Sequence, residues 1–123
     1  MKIEGKTLNE YMESFNLFLN SKEAKETKGI VYIWKIDNAF PRVKGTSNII
    51  YIGQTQNTFS DCYQNSNSLN TEKKYFERYY KHIIEMYGAI TIEIIQCENP
   101  KLSQWQALMK YNDEYKEYPL LNK

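Results

Sequence analysis

Three basic side chains, Lys74, Arg78 and Lys81, fall at i, i+4 and i+7 of one helical stretch and so share a face. Cations spaced in this way can neutralise phosphates along a nucleic-acid backbone, and they are the chain's nucleic-acid-binding candidates. The same spacing also suits an ordinary solvated helix face. Sixteen Lys and Arg against 15 Asp and Glu leave a net charge of +1, which adds little long-range attraction to DNA. The nucleophile inventory is thin. Cys62 stands beside Asp61 with no basic neighbour, a setting that keeps a thiol protonated, and His82 has no nucleophile to serve. One histidine and two scattered cysteines, Cys62 and Cys97, form no zinc set and no disulfide framework. Together with the lack of a secretory leader or a long apolar run, they point to a reducing, cytoplasmic setting with no membrane contact. Two tyrosines, Tyr32 and Tyr51, stand out by their surroundings, each in a β-branched and aromatic run close to a glycine. Tyrosine suits any half-buried strand, so neither is a site by itself.

The elements that must position these groups follow from periodicity. Thr7 with Glu10 three residues later makes a capping box. Leu8, Tyr11, Met12, Phe15, Phe18 and Leu19 then recur at helical spacing. That apolar face either packs on a sheet or serves as a docking surface, including a homodimer contact through the N-terminal helix. Residues 1–6 read as a loose start. Gly29 to Ile36 and Ile49 to Thr55 read as two strands, joined by a long loop whose Arg42 and Lys44 make a basic tip. In the first strand Ile30, Tyr32, Trp34 and Ile36 alternate with Val31, Ile33 and Lys35. Both faces are apolar at the centre, which predicts an inner strand. A polar stretch follows from Gln56 to Asn70, with a weak helix over Thr58 to Asn65 and anchors at Phe59, Tyr63 and Leu69. Thr71 then caps a helix over Glu72 to Tyr87 closed by Gly88, with His82 partly buried. Ala89 to Cys97 is a third strand, and a last helix runs from Leu102 to about Tyr115. The order predicts one α+β domain over residues 1–123. It has a small three-stranded antiparallel sheet flanked by helices, with residues 1–28 as an added helical extension to the domain at 29–123.

Gly29-Ile30-Val31-Tyr32 and Tyr51-Ile52-Gly53, on two adjacent strands, resemble the paired signature of the GIY-YIG nuclease superfamily. Tyr87-Gly88 before Ile92-Glu93-Ile94-Ile95, and Leu120-Leu121-Asn122-Lys123, resemble the family's later segments, so the resemblance spans roughly residues 29–122. Such enzymes cut DNA with one divalent metal. The resemblance implies a tyrosine that helps activate water, an arginine on the phosphate and a glutamate on the last helix that holds the metal. Tyr32, Tyr51 and Gly53 match. Cys62, followed by Tyr63, stands where the arginine is expected, and Gln106, in Leu102-Ser103-Gln104-Trp105-Gln106, stands where the glutamate is expected. A thiol offers no charged fork to a phosphate, and a neutral amide is a poor ligand for Mg²⁺.

The resemblance therefore implies a remnant site, Tyr32, Tyr51, Gly53, Cys62 and Gln106, without turnover, metal or cofactor. The implied function is binding: an inhibitor or regulator of a nucleic-acid enzyme, from a phage or mobile element, with a protein or DNA as partner. One alternative is an active Mg²⁺-dependent endonuclease in which Arg78 and Glu114 take over the missing roles. A second is a structural or oligomerisation domain.

Overall fold

The computed structural model describes residues 2–63 and 66–122, with the backbone alone for 66–70. The chain is α+β around one antiparallel sheet of four strands in the order β1-β4-β2-β3. β2 (Ile30–Pro41) and β3 (Thr46–Thr55) form the hairpin, and β4 (Ile90–Gln96) lies on the other side of β2. The fourth strand corrects the expected three. Lys2 and Ile3, read as a loose start, form β1 on the outer edge of β4. Two residues are too few to show a period. They are held because Ile3 is fully buried and Lys2 Nζ lies 3.0 Å from Asp37 Oδ1.

β2 is an inner strand, as its two apolar faces require. Ile30, Tyr32, Trp34 and Ile36 are buried on one side and Val31 on the other. The expected long loop is mostly strand, because pairing resumes at Phe40↔Ser47 and Pro41↔Thr46 after a register shift. Its basic tip is not free either. The buried Arg42 guanidinium bonds Glu117 and donates to the Tyr118 carbonyl, each at 2.5 Å.

α1 (Leu8–Leu19) begins at Thr7, whose Oγ1 accepts from Glu10 N at 3.2 Å. Its aromatic face, offered above as a homodimer contact, is instead in the core. Tyr11, Phe15, Phe18 and Leu19 are all buried, packed on Trp34, Phe59, Phe76 and Tyr80. The N-terminal segment is thus part of the domain's core. Next come α2 (Lys22–Glu26) and α3 (Phe59–Tyr63); the expected end of the latter at Asn65 lies outside the described residues, as does the side chain of Leu69.

The following helix starts earlier than Thr71. α4 (Ser66–Tyr75) runs into a π-helical turn, Phe76–Tyr80, and then α5 (Lys81–Tyr87). Glu72, Phe76 and Tyr80 are buried at four-residue intervals. On a 3.6-residue helix that interval drifts around the axis, and the wider π turn absorbs the drift. His82, expected to be partly buried, is exposed. Gly88 closes the helix at φ +93°, its N–H donating to Ile84 O at 3.0 Å. A Cβ there would also crowd Asp37, whose Oδ2 accepts from Ala89 N. α6 (Pro100–Tyr115) carries proline in its first turn and Asn99 as its cap, and packs along β3.

Candidate functional site

Tyr32 in β2 pairs with Gly53 in β3, and Trp34 pairs with Tyr51. Paired residues project to the same face of a sheet, so the two tyrosines point together, ring centres 6.1 Å apart. Gly53 is required here by a close approach: a Cβ would overlap the ring of Tyr32, which lies across it. The α3 helix then closes over the pair. Phe59 and Tyr63 pack on the Tyr32 ring at 5.1 and 6.0 Å, and the Tyr32 phenol is hydrogen-bonded with Tyr63 and Cys62. Tyr32 is 4% exposed. Burial above all, then the neighbouring Tyr51 and Cys62, raises its pKa far beyond the ordinary phenol value. Tyr51 is raised in the same direction, chiefly by burial, although more of it reaches the surface. Burial also pushes up the Cys62 thiol, and the Tyr32 hydrogen bond only partly opposes it. All three are neutral hydrogen-bonding groups at neutral pH, and none is a ready base or nucleophile.

Four of the five remnant positions, Tyr32, Tyr51, Gly53 and Cys62, therefore come together. Gln106 does not join them. It is exposed on α6, and the glutamine that reaches the sheet is Gln104, whose Nε2 donates to Ile52 O at 3.1 Å. Glu114 is exposed on the same helix. Lys74 and Arg78 line one shallow cleft with Thr71 and Tyr75, while Lys81 is exposed outside that lining. So two of the three basic residues share a surface, and the third stands apart.

The residue that sequence reasoning missed is Glu72. The sequence marks it only as the first residue of the helix over Glu72 to Tyr87. In the fold it is 4% exposed and lines a cavity with Trp34, Tyr51, Tyr63, Tyr75, Tyr80 and Leu121. Tyr80 hydrogen-bonds its carboxyl group, yet burial dominates and pushes its pKa up to about 8. Oε2 has no partner among the described residues, and neither do Trp34 Nε1 and Tyr11 Oη. The sequence signal was present but weak: Glu72 precedes the buried Phe76 and Tyr80 at the same four-residue interval.

These donors do not fit the divalent cation that the resemblance implies. Gln106 is neutral and outside the cluster, and Glu72 is largely protonated at neutral pH. Among the described residues no three His, Cys, Asp or Glu side chains converge. A hard cation needs several ionised oxygens, and one protonated carboxyl group does not supply them.

The wider context adds no relative. No family model matches the chain, and no curated protein or solved structure matches it either.

Proposed function

We propose that this is a GIY-YIG-like domain that no longer hydrolyses phosphodiesters and acts by binding, as an inhibitor or regulator of a nucleic-acid enzyme of phage or mobile-element origin. One observation carries the loss of chemistry. Tyr32, the residue best placed by its motif to activate water, is sealed under Phe59 and Tyr63 at 4% exposure. A phenol that meets neither solvent nor a phosphate cannot act on a phosphodiester, whatever its sequence context.

A protein partner is favoured by the outer side of α6, where Leu102 and Trp105 are 46% and 59% exposed one turn apart. Tryptophan is among the residues most enriched at the energetic anchors of protein interfaces. A DNA partner is the second reading, and the Lys74–Arg78 cleft speaks for it.

Incubation with supercoiled plasmid and Mg²⁺ or Mn²⁺ tests the first claim, with no nicking expected. Cleavage that disappears in Tyr51→Phe would overturn it in favour of the active endonuclease. Electrophoretic shift of DNA that weakens in Lys74→Ala/Arg78→Ala assigns the DNA partner. A complex with a candidate nucleic-acid enzyme that is lost in Trp105→Ala assigns the protein one.

A further inference from the structure

The cavity beside the tyrosine pair has a chemistry of its own. Its volume is about 90 Å³. A cavity of roughly 150 Å³ accommodates a benzene ring, so this one suits a group of about four heavy atoms. The walls are aromatic, with Trp34 packed against Tyr51, Tyr63 and Tyr80 at 6.1, 6.2 and 5.4 Å, and Tyr75 against Tyr80 at 6.0 Å. Glu72 is the only acidic residue in the lining among the described residues, and its Oε2 has no partner there. Tyr75, 38% exposed, stands at the rim.

An enclosure lined by electron-rich rings with one buried carboxyl group suits an organic cation. Ring quadrupoles attract a positive charge within about 6 Å, and an ionised carboxylate in low dielectric attracts it more strongly still. A trimethylammonium group has four heavy atoms. Its methyl groups satisfy the rings, and its charge answers the lone carboxylate without demanding hydrogen bonds. We propose that this cavity binds a methylated ammonium group, with Glu72 as counter-ion and the rings of Trp34, Tyr51, Tyr75 and Tyr80 as walls. The proposal is independent of whether the domain regulates a nucleic-acid enzyme. The group comes either from a free small molecule such as choline or from a methylated lysine side chain on a protein.

Binding is linked to a proton. The groups facing Glu72 are Tyr11 on α1, Tyr51 on β3, Cys62 and Tyr63 on α3, Tyr75 at the end of α4 and Tyr80 on the π turn. Burial keeps Tyr11, Tyr51, Cys62, Tyr63 and Tyr80 neutral at neutral pH. Below about pH 8 Glu72 holds a proton that the cation must displace, so the affinity rises as pH rises. The rise is about tenfold per pH unit at most and levels off above pH 8.

Calorimetric titration of the full chain with choline, with its neutral isostere 3,3-dimethylbutan-1-ol, and with a trimethyllysine peptide beside its unmodified counterpart tests this. Choline or the methylated peptide is expected to bind at least tenfold more tightly than its counterpart at pH 9, and more weakly at pH 6. Whichever of the two binds better identifies the source. Glu72→Gln is expected to weaken cation binding at least tenfold and remove its pH dependence. Tyr75→Ala, at the rim and harmless to the core, is expected to weaken it at least fivefold and decides the matter if Glu72→Gln fails to fold. Equal binding of choline and its isostere, unchanged affinity in Glu72→Gln, or no saturable binding of choline or the methylated peptide at millimolar concentrations would overturn the proposal and leave a cavity that holds water.

Discussion

Glu72 and Gly53 show how much a single position can carry in this domain. A glutamate normally near pKa 4.5 that is pushed to about 8 by burial makes folding pH-dependent in a definite direction. Below pH 4.5 the carboxyl group is protonated in both folded and unfolded chains, and it costs nothing. As pH rises from 4.5 to 8 the unfolded chain gains by ionising while the folded one does not, so stability falls and then levels off. The loss is on the order of 5 kcal/mol at most. Glu72→Gln is therefore expected to melt close to the parent at pH 4.5 and several degrees above it at pH 8.5. Parallel curves at all pH values would show that Glu72 ionises freely. Gly53 is constrained by contact. Gly53→Ala should cost about 1–3 kcal/mol by overpacking against the Tyr32 ring, and much less in a Tyr32→Leu background. An equal cost in both backgrounds, read from urea unfolding, would remove Tyr32 as the cause.

At the level of elements, the end of the chain closes the sheet. Asn122 accepts from Ile52 N and donates to Ile52 O, both at 2.9 Å, and Leu121 N donates to Ile50 O at 2.8 Å. This tail satisfies backbone groups on the free edge of β3, which would otherwise be open to another chain. Asn122→Ala should cost about 1–2 kcal/mol, because the Ile52 N–H loses its partner while Ile52 O keeps only the Gln104 amide. A loss of under 0.5 kcal/mol would mean that water replaces the amide. The hairpin, the helix cap at Thr7, the end at Gly88 and the inner position of β2 were legible in the sequence, since each rests on local chemistry or on period. What was not legible depends on contacts distant in sequence. β1 is two residues long and exists only because β4 has an open edge. The π turn is invisible to a search at a fixed helical period. The aromatic face of α1 looks identical whether it meets a second chain or its own core. At the site, the resemblance grouped Tyr32, Tyr51, Gly53 and Cys62, and these four lie together in the fold. It failed for Gln106, because a resemblance fixes a count along the helix and not the side of the helix that faces the sheet.

For the molecule as a whole, a net charge of +1 limits what the Lys74–Arg78 cleft can do for nucleic acid. Any affinity for DNA should fall with salt by a slope near −2 on logarithmic axes, as for about two phosphate contacts. A slope beyond −5 would require cations outside this cleft. The closing of β3 has a further consequence, which concerns synthesis. Ile52 and Asn122 are separated by 70 positions, and Lys2 pairs with Thr91. Both outer strands of the sheet are therefore completed by residues made long after them. A nascent chain that has just released the hairpin has paired β2 with β3 and nothing else. Its first helix meets Trp34 and Phe59 early, but Tyr11 must wait for Phe76 and Tyr80 before its packing is complete. During translation this domain is expected to remain a chaperone client until its last helix and tail emerge.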